Sequence, residues 1–262
     1  MTSDTTQTGR TTAERTERTE RTERTERTTE DTGRLRGLVE GARFVLFDFD
    51  GPVCRLFAGH SAEAVAKDLV EWLARRGLRG LLTEEERVHP DPMAVLYAVD
   101  RRRPRSDLVS ELEERLTQQE LKAAPSAWPT EYADPLIRTW SAVGARLAVA
   151  TNNSSRTATA YLEDRGLADC FAPHVYGRTR DLDRLKPDPY CLNRALGALG
   201  AAPVSALMIG DSPTDLVAAR EAGVPFLGYA RNGDKEEDLR KAGADVVVRS
   251  LEPVLGVVRH LP

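Results

Sequence analysis

Two aspartates follow the first strongly apolar segment of the sequence, at a position that suggests chemistry. Val45, Leu46 and Phe47 are typical of a strand buried on both faces, and Asp48 and Asp50 come directly after them. Carboxylates beside a packed core are costly unless a cation or hydrogen bonds compensate them. We therefore expect a compensating group close to these two side chains.

Further polar residues follow later strand-like segments or precede helical ones. They are Thr151, Asn152, Lys186, Asp211 and Asp215. In an open α/β sheet, the carboxyl ends of the parallel strands meet at one edge, where ligands bind. We therefore expect several carboxylates, a hydroxyl and an ammonium group to lie together at that edge.

Such a cluster of carboxylates points to a bound cation. Carboxylates within a few ångströms repel each other, and a hard divalent cation such as Mg²⁺ removes the conflict because it prefers oxygen ligands. A site of this kind suits phosphoryl transfer, in which catalysis is mainly positioning and charge stabilisation. We expect Mg²⁺ as the cofactor.

Strands and helices alternate along most of the chain, and this order positions the polar residues. The strand-like segments are 42–50, 145–153, 205–212, 224–230 and 244–250. Helical patterns separate the later ones, and several end at a glycine, as helices often do. Continuous apolar strands that alternate with helices indicate an α/β fold, a Rossmann-like doubly wound parallel sheet.

One region interrupts this alternation. Residues 56–136 contain no convincing strand, and they are too many for a simple crossover between two strands. Helical periodicity covers 61–78, 91–102 and 106–124. We predict an inserted α-helical cap domain over 56–136 and a core formed by 35–55 and 137–262.

The amino-terminal segment, residues 1–34, has a different composition. The three-residue repeat "ERTERTERTERTERT" fills 14–28, and the segment has almost no apolar side chains. Such a sequence buries too little surface to offset the entropy of ordering. We predict a disordered low-complexity tail.

Composition excludes several classes of function. The 37 basic and 41 acidic residues give a net charge of −4, without a basic run interleaved with aromatics, so no nucleic-acid partner is expected. No segment approaches the roughly 20 apolar residues of a membrane helix. Cys54, Cys170 and Cys191 are widely spaced, which argues against zinc. We expect a cytoplasmic protein without a membrane partner.

Four motifs occur in an order that is characteristic of one family. The segments "DFDG", "ATNN", "LKPDP" and "IGDSPTD" resemble the four motifs of the haloacid dehalogenase superfamily. The long insertion after the first motif resembles the phosphoglycolate phosphatase-like subfamily, whose helical cap occupies that place. The resemblance implies a phosphatase that hydrolyses a small phosphorylated metabolite.

The resemblance also implies a role for each motif residue. Asp48 would be the nucleophile that forms an aspartyl-phosphate, and Asp50 the general acid and base. Thr151 and the backbone of Asn152 would hold phosphate oxygens. Lys186 would neutralise both the nucleophile and the transferring group.

The metal ligands implied by the resemblance are Asp48, the main-chain carbonyl of Asp50, and Asp211. Asp215 would support these ligands without binding the metal itself. Pro52 stands where such phosphatases usually carry Thr, so a hydroxyl and a backbone N–H are lost where the cap linker begins.

Other functions remain open at this point. A phosphomutase uses the same four motifs, a dehalogenase of the superfamily lacks the second aspartate, and a phosphate-binding module would use the site without catalysis. The substrate stays open among phosphoglycolate, sugar phosphates and nucleotides, and so does the oligomeric state. Three arginines before the lysine loop, Arg178, Arg180 and Arg184, are interpreted as solvated side chains.

Overall fold

The computed structural model describes residues 31–261. In chain order the strands are β1 (Phe44–Phe47), β2 (Cys54–Arg55), β3 (Trp128–Pro129), β4 (Arg146–Ala150), β5 (Val175–Tyr176), β6 (Ala206–Gly210), β7 (Phe226–Tyr229) and β8 (Val247–Val248). The helices are α1 (31–41), α2 (Ala62–Arg75), α3 (Glu84–Arg87), α4 (Pro92–Arg102), α5 (Asp107–Ala123), α6 (Ala133–Ala142), α7 (Ser155–Asp164), α8 (Ala168–Phe171), α9 (Tyr190–Leu199), α10 (Pro213–Glu221), α11 (Gly233–Lys241) and α12 (Glu252–Val258).

Six strands form one parallel sheet in the order β5-β4-β1-β6-β7-β8. β1 lies in the middle, between β4 and β6, so the strands that carry the first, second and fourth motifs are neighbours. This arrangement confirms the predicted α/β fold. The short strand β5 was not predicted from the sequence.

Side chains of the central strand alternate between two apolar layers. Val45 and Phe47 pack in a cluster with α1, α6, α7, α8 and α12, whereas Leu46 packs with α9, α10 and α11. Because both faces are covered, the strand is a continuous apolar run. Phe47 lies against Trp140 and Phe171 in edge-to-face contacts, with 5.9 Å between ring centroids in each pair.

The insertion after β1 is helical, and a short antiparallel ribbon joins it to the sheet. In this ribbon Cys54 pairs with Pro129 and Arg55 with Trp128. Helices α2, α4 and α5 correspond to the three helical patterns predicted in this region, and they pack around a separate apolar cluster. The domain boundaries given above stay a prediction.

The first described residues are helical. Residues 31–34, assigned from sequence to the tail, are part of α1. The predicted disorder of the Glu-Arg-Thr repeat lies outside the described residues. Over 31–261, none of the helices has the length and apolar character needed to cross a membrane.

Candidate active site

All seven predicted site residues line one cavity of about 430 Å³ at the carboxyl edge of the sheet. They are Asp48, Asp50, Thr151, Asn152, Lys186, Asp211 and Asp215. Phe47 is in register with Val149 of β4 and Ile209 of β6. The residues that follow these three strands are therefore brought to the same edge.

The ammonium group of Lys186 connects two aspartates. Its Nζ lies 2.8 Å from Oδ1 of Asp48 and 2.5 Å from Oδ1 of Asp215, and it also donates to the carbonyl of Ala150 at 2.9 Å. The ammonium is thus held by two hydrogen bonds, to Asp48 and Ala150, and by an ion pair with Asp215. Lys186 is therefore fixed against the predicted nucleophile.

Burial changes the proton affinity of this pair. Burial raises the pKa of Asp48 to about 6, although the Lys186 ammonium opposes the shift and the charges of Asp215 and Asp211 add to it. Burial also disfavours the charge of Lys186, but the carboxylates of Asp215 and Asp48 outweigh it and hold the pKa of this lysine above its ordinary value. Lys186 therefore keeps its positive charge beside the oxygens of Asp48 and Asp215.

Asp50 lines the same cavity and has a backbone hydrogen-bond partner of its own. Its Oδ1 accepts a hydrogen bond of 2.9 Å from the backbone N–H of Leu56, where the chain leaves for the cap. Burial raises the pKa of Asp50 to about 6, and the Leu56 N–H opposes that shift. A carboxyl group with this pKa exchanges a proton near neutral pH, as a general acid and base must.

Three carboxylates are close enough to hold one cation. Asp48, Asp211 and Asp215 each offer an oxygen within 4.8 Å of the others. Such an all-oxygen set fits Mg²⁺ and is unsuited to soft metals. The carboxylate of Asp50 is not part of this group, and the metal contact expected for its main-chain carbonyl stays a prediction.

Asp215 also organises the loop that carries Asp211. Its Oδ2 accepts hydrogen bonds from the backbone N–H groups of Asp211 and Ser212, both at 3.1 Å, and from the Ser212 hydroxyl at 2.8 Å. Asp211 in turn pairs with Lys235 at 2.8 Å. Burial raises the pKa of Asp211, and the Lys235 charge opposes this shift.

Two glycines let the backbone approach these aspartates. Gly51 has φ +121°, and a Cβ there would lie 2.5 Å from Cγ of Asp211. A Cβ on Gly210 would lie 2.4 Å from Cβ of Asp215. A side chain at either position would push the acidic groups apart.

The loop after β4 joins the second motif to the third. The side-chain amide of Asn152 donates to the carbonyl of Lys186 at 2.9 Å and accepts from its N–H at 2.8 Å. The hydroxyl of Thr151 accepts from the N–H of Asn153 at 3.2 Å. The Asn152 side chain therefore positions the lysine, and the phosphate contacts predicted for its backbone and for Thr151 stay predictions.

The structure corrects the interpretation of Arg178 as a solvated side chain. Its guanidinium is fully buried, with Nη1 2.8 Å from Oε1 of Glu120 and Nε 2.9 Å from Oε1 of Glu113. Nη2 donates to the hydroxyl of Thr117 at 2.9 Å. Arg180 and Arg184 are exposed, as expected.

Glu120 also lines the cavity, although it lies outside the four motifs. It projects from α5 into the cavity wall with its side chain 1% exposed. Its carboxylate accepts from the N–H of Ser154 at 2.9 Å and from the side-chain amide of Asn153 at 3.1 Å. Its burial was detectable from the sequence, because Glu120 follows Leu112 and Leu116 at intervals of four residues and so lies on the apolar face of the helix.

A comparison with protein families gives one match over most of the described chain. The family model described as haloacid dehalogenase-like hydrolase matches residues 42–223. This range includes all four motifs and the helical insertion.

Sequence relatives match over a shorter part. A phosphoglycolate phosphatase from Rhodospirillum rubrum is 43% identical over 113 residues, which are 42% of this chain and 45% of the relative. The pyrophosphatase PpaX from Halalkalibacterium halodurans is 33% identical over 132 residues, which are 50% of this chain and 60% of the relative. The chain thus spans about half the length of the relatives it matches.

Solved structures share the fold at low sequence identity. A predicted phosphatase from Clostridium acetobutylicum superimposes with a TM-score of 0.59 at 19% identity, over 83% of this chain and 98% of that one. CbbY from Rhodobacter sphaeroides, solved with phosphate, gives a TM-score of 0.59 at 20% identity, over 80% of this chain and 94% of that one. From the family match, the four motifs and this fold, we conclude that the chain belongs to the haloacid dehalogenase-like hydrolase family.

Proposed function

We propose that the protein is a Mg²⁺-dependent phosphatase that hydrolyses a small phosphorylated metabolite through an aspartyl-phosphate on Asp48. The observation that carries the proposal is the convergence of Asp48, Lys186, Asp211 and Asp215 in one cavity, with Asp50 beside them. The names of the two relatives described above agree with a phosphatase.

In the first step, an oxygen of the Asp48 carboxylate attacks phosphorus and the bond from phosphorus to the substrate alcohol breaks. Lys186 lies against this carboxylate and offsets negative charge on the transferring group. The leaving alkoxide takes the proton of Asp50. Asp48, the main-chain carbonyl of Asp50 and Asp211 would hold Mg²⁺, which would supply further positive charge at the phosphate oxygens.

In the second step, Asp50 acts as a base. Its carboxylate takes a proton from water while the water oxygen bonds to phosphorus. The bond from phosphorus to the Asp48 oxygen breaks, and inorganic phosphate is released. The hydrogen bond from the Leu56 N–H fixes the carboxyl of Asp50 in both steps. Since Leu56 lies at the start of the cap linker, Asp50 also contacts the segment through which the cap is attached.

The activity is tested with p-nitrophenyl phosphate as a generic substrate. We expect turnover with Mg²⁺, and a loss in kcat/KM of at least about 100-fold after chelation with EDTA, because the metal contributes several kcal/mol at the transition state. Adding Mg²⁺ back should restore the rate. Full activity in EDTA would contradict the metal dependence, and no turnover of any phosphate ester would contradict the function.

Metal binding should also depend on pH in a defined direction. Burial raises the pKa of Asp48 from its ordinary value of 3.8 to about 6. As pH rises through this range, the folded protein must ionise a buried carboxyl, and its stability falls relative to the unfolded chain. Mg²⁺ binds the ionised form, so it offsets this loss only at higher pH.

We therefore expect the Mg²⁺-induced rise in Tm to be at least about twofold larger at pH 7.5 than at pH 5. Thermal unfolding with Mg²⁺ and with EDTA at both pH values measures this difference. An equal rise at both pH values would show that ionisation of the buried carboxylates is not linked to metal binding.

A further inference from the structure

We infer that the cap selects phosphate esters whose alcohol part is uncharged or cationic, and that the carboxylate of Asp91 disfavours esters with a second anionic group. The inference rests on the proposed phosphatase function and specifies the substrate class of the same cavity. It concerns the part of the cavity lining that comes from the cap, to which the motifs assign no role.

This wall comes from the cap and contains apolar side chains and one acid. The residues are Phe57, Ala62, Pro90, Asp91, Pro92 and Met93. Among all described residues that line the cavity, Lys186 is the only basic one. Its buried ammonium is held by Asp48, Asp215 and the carbonyl of Ala150, so it belongs to the phosphoryl site and is not free to bind a second anion.

The start of α4 faces the cavity, but its backbone donors are already occupied. The N–H of Met93 donates to Oδ1 of Asp91 at 2.9 Å, and the N–H of Ala94 donates to the Asp91 carbonyl at 3.1 Å. Pro92 has no N–H. A carboxylate or second phosphate in the cavity therefore finds no donor in this turn, although helix starts commonly bind anions.

Asp91 itself adds negative charge to the wall. It is exposed and lines both this cavity and the adjoining one that extends along the lysine loop. The other helix that starts at the cavity, α2, contributes the apolar Ala62 to the lining, and Glu63 in its first turn is exposed outside that lining. A negative charge in the position of Asp91 disfavours anionic ligands and attracts cationic ones.

Cations near the cavity are engaged elsewhere or lie outside its lining. Arg178 is buried against Glu113 and Glu120, and Lys235 pairs with Asp211. Arg231 is close enough to Asp50 to lower its pKa, but it is not a lining residue. It is the best competing candidate for binding a second anionic group and is therefore included in the test.

The test uses three esters of two-carbon alcohols that differ mainly in charge. They are O-phosphoethanolamine, 2-hydroxyethyl phosphate and 2-phosphoglycolate, with pyrophosphate as a further anionic compound. With Mg²⁺ at pH 7.5, we expect kcat/KM for the first two esters to exceed that for 2-phosphoglycolate by at least about tenfold, equivalent to about 1.4 kcal/mol. Calorimetric Kd values on the Asp48→Asn variant should follow the same order, independently of turnover.

The Asp91→Asn variant removes the charge and keeps a good N-cap. We expect this variant to reduce severalfold the ratio of kcat/KM for 2-hydroxyethyl phosphate to kcat/KM for 2-phosphoglycolate. Asp107→Asn is the matched control, because Asp107 is an exposed acid in the first turn of another cap helix and does not line the cavity. This control should leave the ratio unchanged.

Several results would overturn the inference while leaving the phosphatase function in place. One is a higher kcat/KM for 2-phosphoglycolate or pyrophosphate than for the other two esters; if Arg231→Ala removed that preference, Arg231 would be the group that binds the second anion. Another is a ratio of kcat/KM values for 2-hydroxyethyl phosphate and 2-phosphoglycolate that is the same in Asp91→Asn as in the unsubstituted protein. Absence of turnover with every ester, including p-nitrophenyl phosphate, would instead overturn the proposed function and the inference with it.

Discussion

Replacement of Asp48 with Asn is expected to abolish turnover of p-nitrophenyl phosphate, with a fall in kcat of about 10⁴-fold or more. The amide has nearly the same shape but is a poor nucleophile. The phosphoryl group then has no acceptor on the protein, although Lys186 and Asp215 remain in contact. Steady-state kinetics with Mg²⁺ measure the loss.

A comparison with Asp50→Asn separates nucleophilic from proton-transfer chemistry. Asp50 carries out proton transfer, which typically contributes 10²–10⁴-fold, so this variant should keep a measurable rate. It should also accumulate phosphorylated protein that mass spectrometry detects on Asp48. Turnover by Asp48→Asn at the normal rate, or a phosphoryl group on another residue, would contradict the mechanism.

The sequence was sufficient to place the motif residues because their positions depend on local rules. A strand buried on both faces is a continuous apolar run, and in a parallel sheet its next residue lies at the ligand-binding edge. Asp48 after β1 and Asp211 after β6 follow from these two rules. The reciprocal hydrogen bonds between Asn152 and Lys186 could not be predicted, because they join two loops that are distant in sequence.

Contacts between the cap and the core were also hard to predict, because they join segments that are distant in sequence. Arg178 looks like an exposed loop arginine in sequence, and only the docking of α5 beside its loop places Glu113 and Glu120 around it. The sequence around Asp91 indicates a helix N-cap, and the structure has one there. Its place in the cavity lining depends on how the inserted helical domain packs against the sheet, which the sequence does not indicate. Sequence periodicity predicts helices but not which loop a helix face meets.

Replacement of Arg178 with Met should have the largest effect on stability among the polar contacts between cap and core. It leaves the carboxylate of Glu120 buried without its cation, and breaking a buried pair from one side costs about 3–5 kcal/mol. For a domain of this size the corresponding fall in Tm is on the order of 10 °C. Thermal unfolding and urea denaturation measure the change.

The chain provides a matched control for this variant. Arg156 of α7 pairs with Glu114 of α5 at 2.8 Å, so it also connects core and cap, but both side chains are about half exposed. Exposed pairs contribute about 0–1 kcal/mol, so Arg156→Met should barely change Tm. Equal effects of the two substitutions would show that the buried pair has no special role.

The same pair should also influence catalysis, because Glu120 and Arg178 hold the loop that follows Thr151. Glu120 accepts from the N–H of Ser154, and Nη1 of Arg178 donates to the carbonyl of Asn152 at 3.2 Å. When this support is lost, the backbone proposed to bind phosphate is no longer held in place. We expect a rise in KM for Arg178→Met at temperatures where it remains folded, and none for Arg156→Met. Partial recovery of both Tm and KM in the double variant Arg178→Met, Glu120→Gln would identify the unpaired Glu120 charge as the cause, because a neutral side chain there removes the uncompensated buried carboxylate.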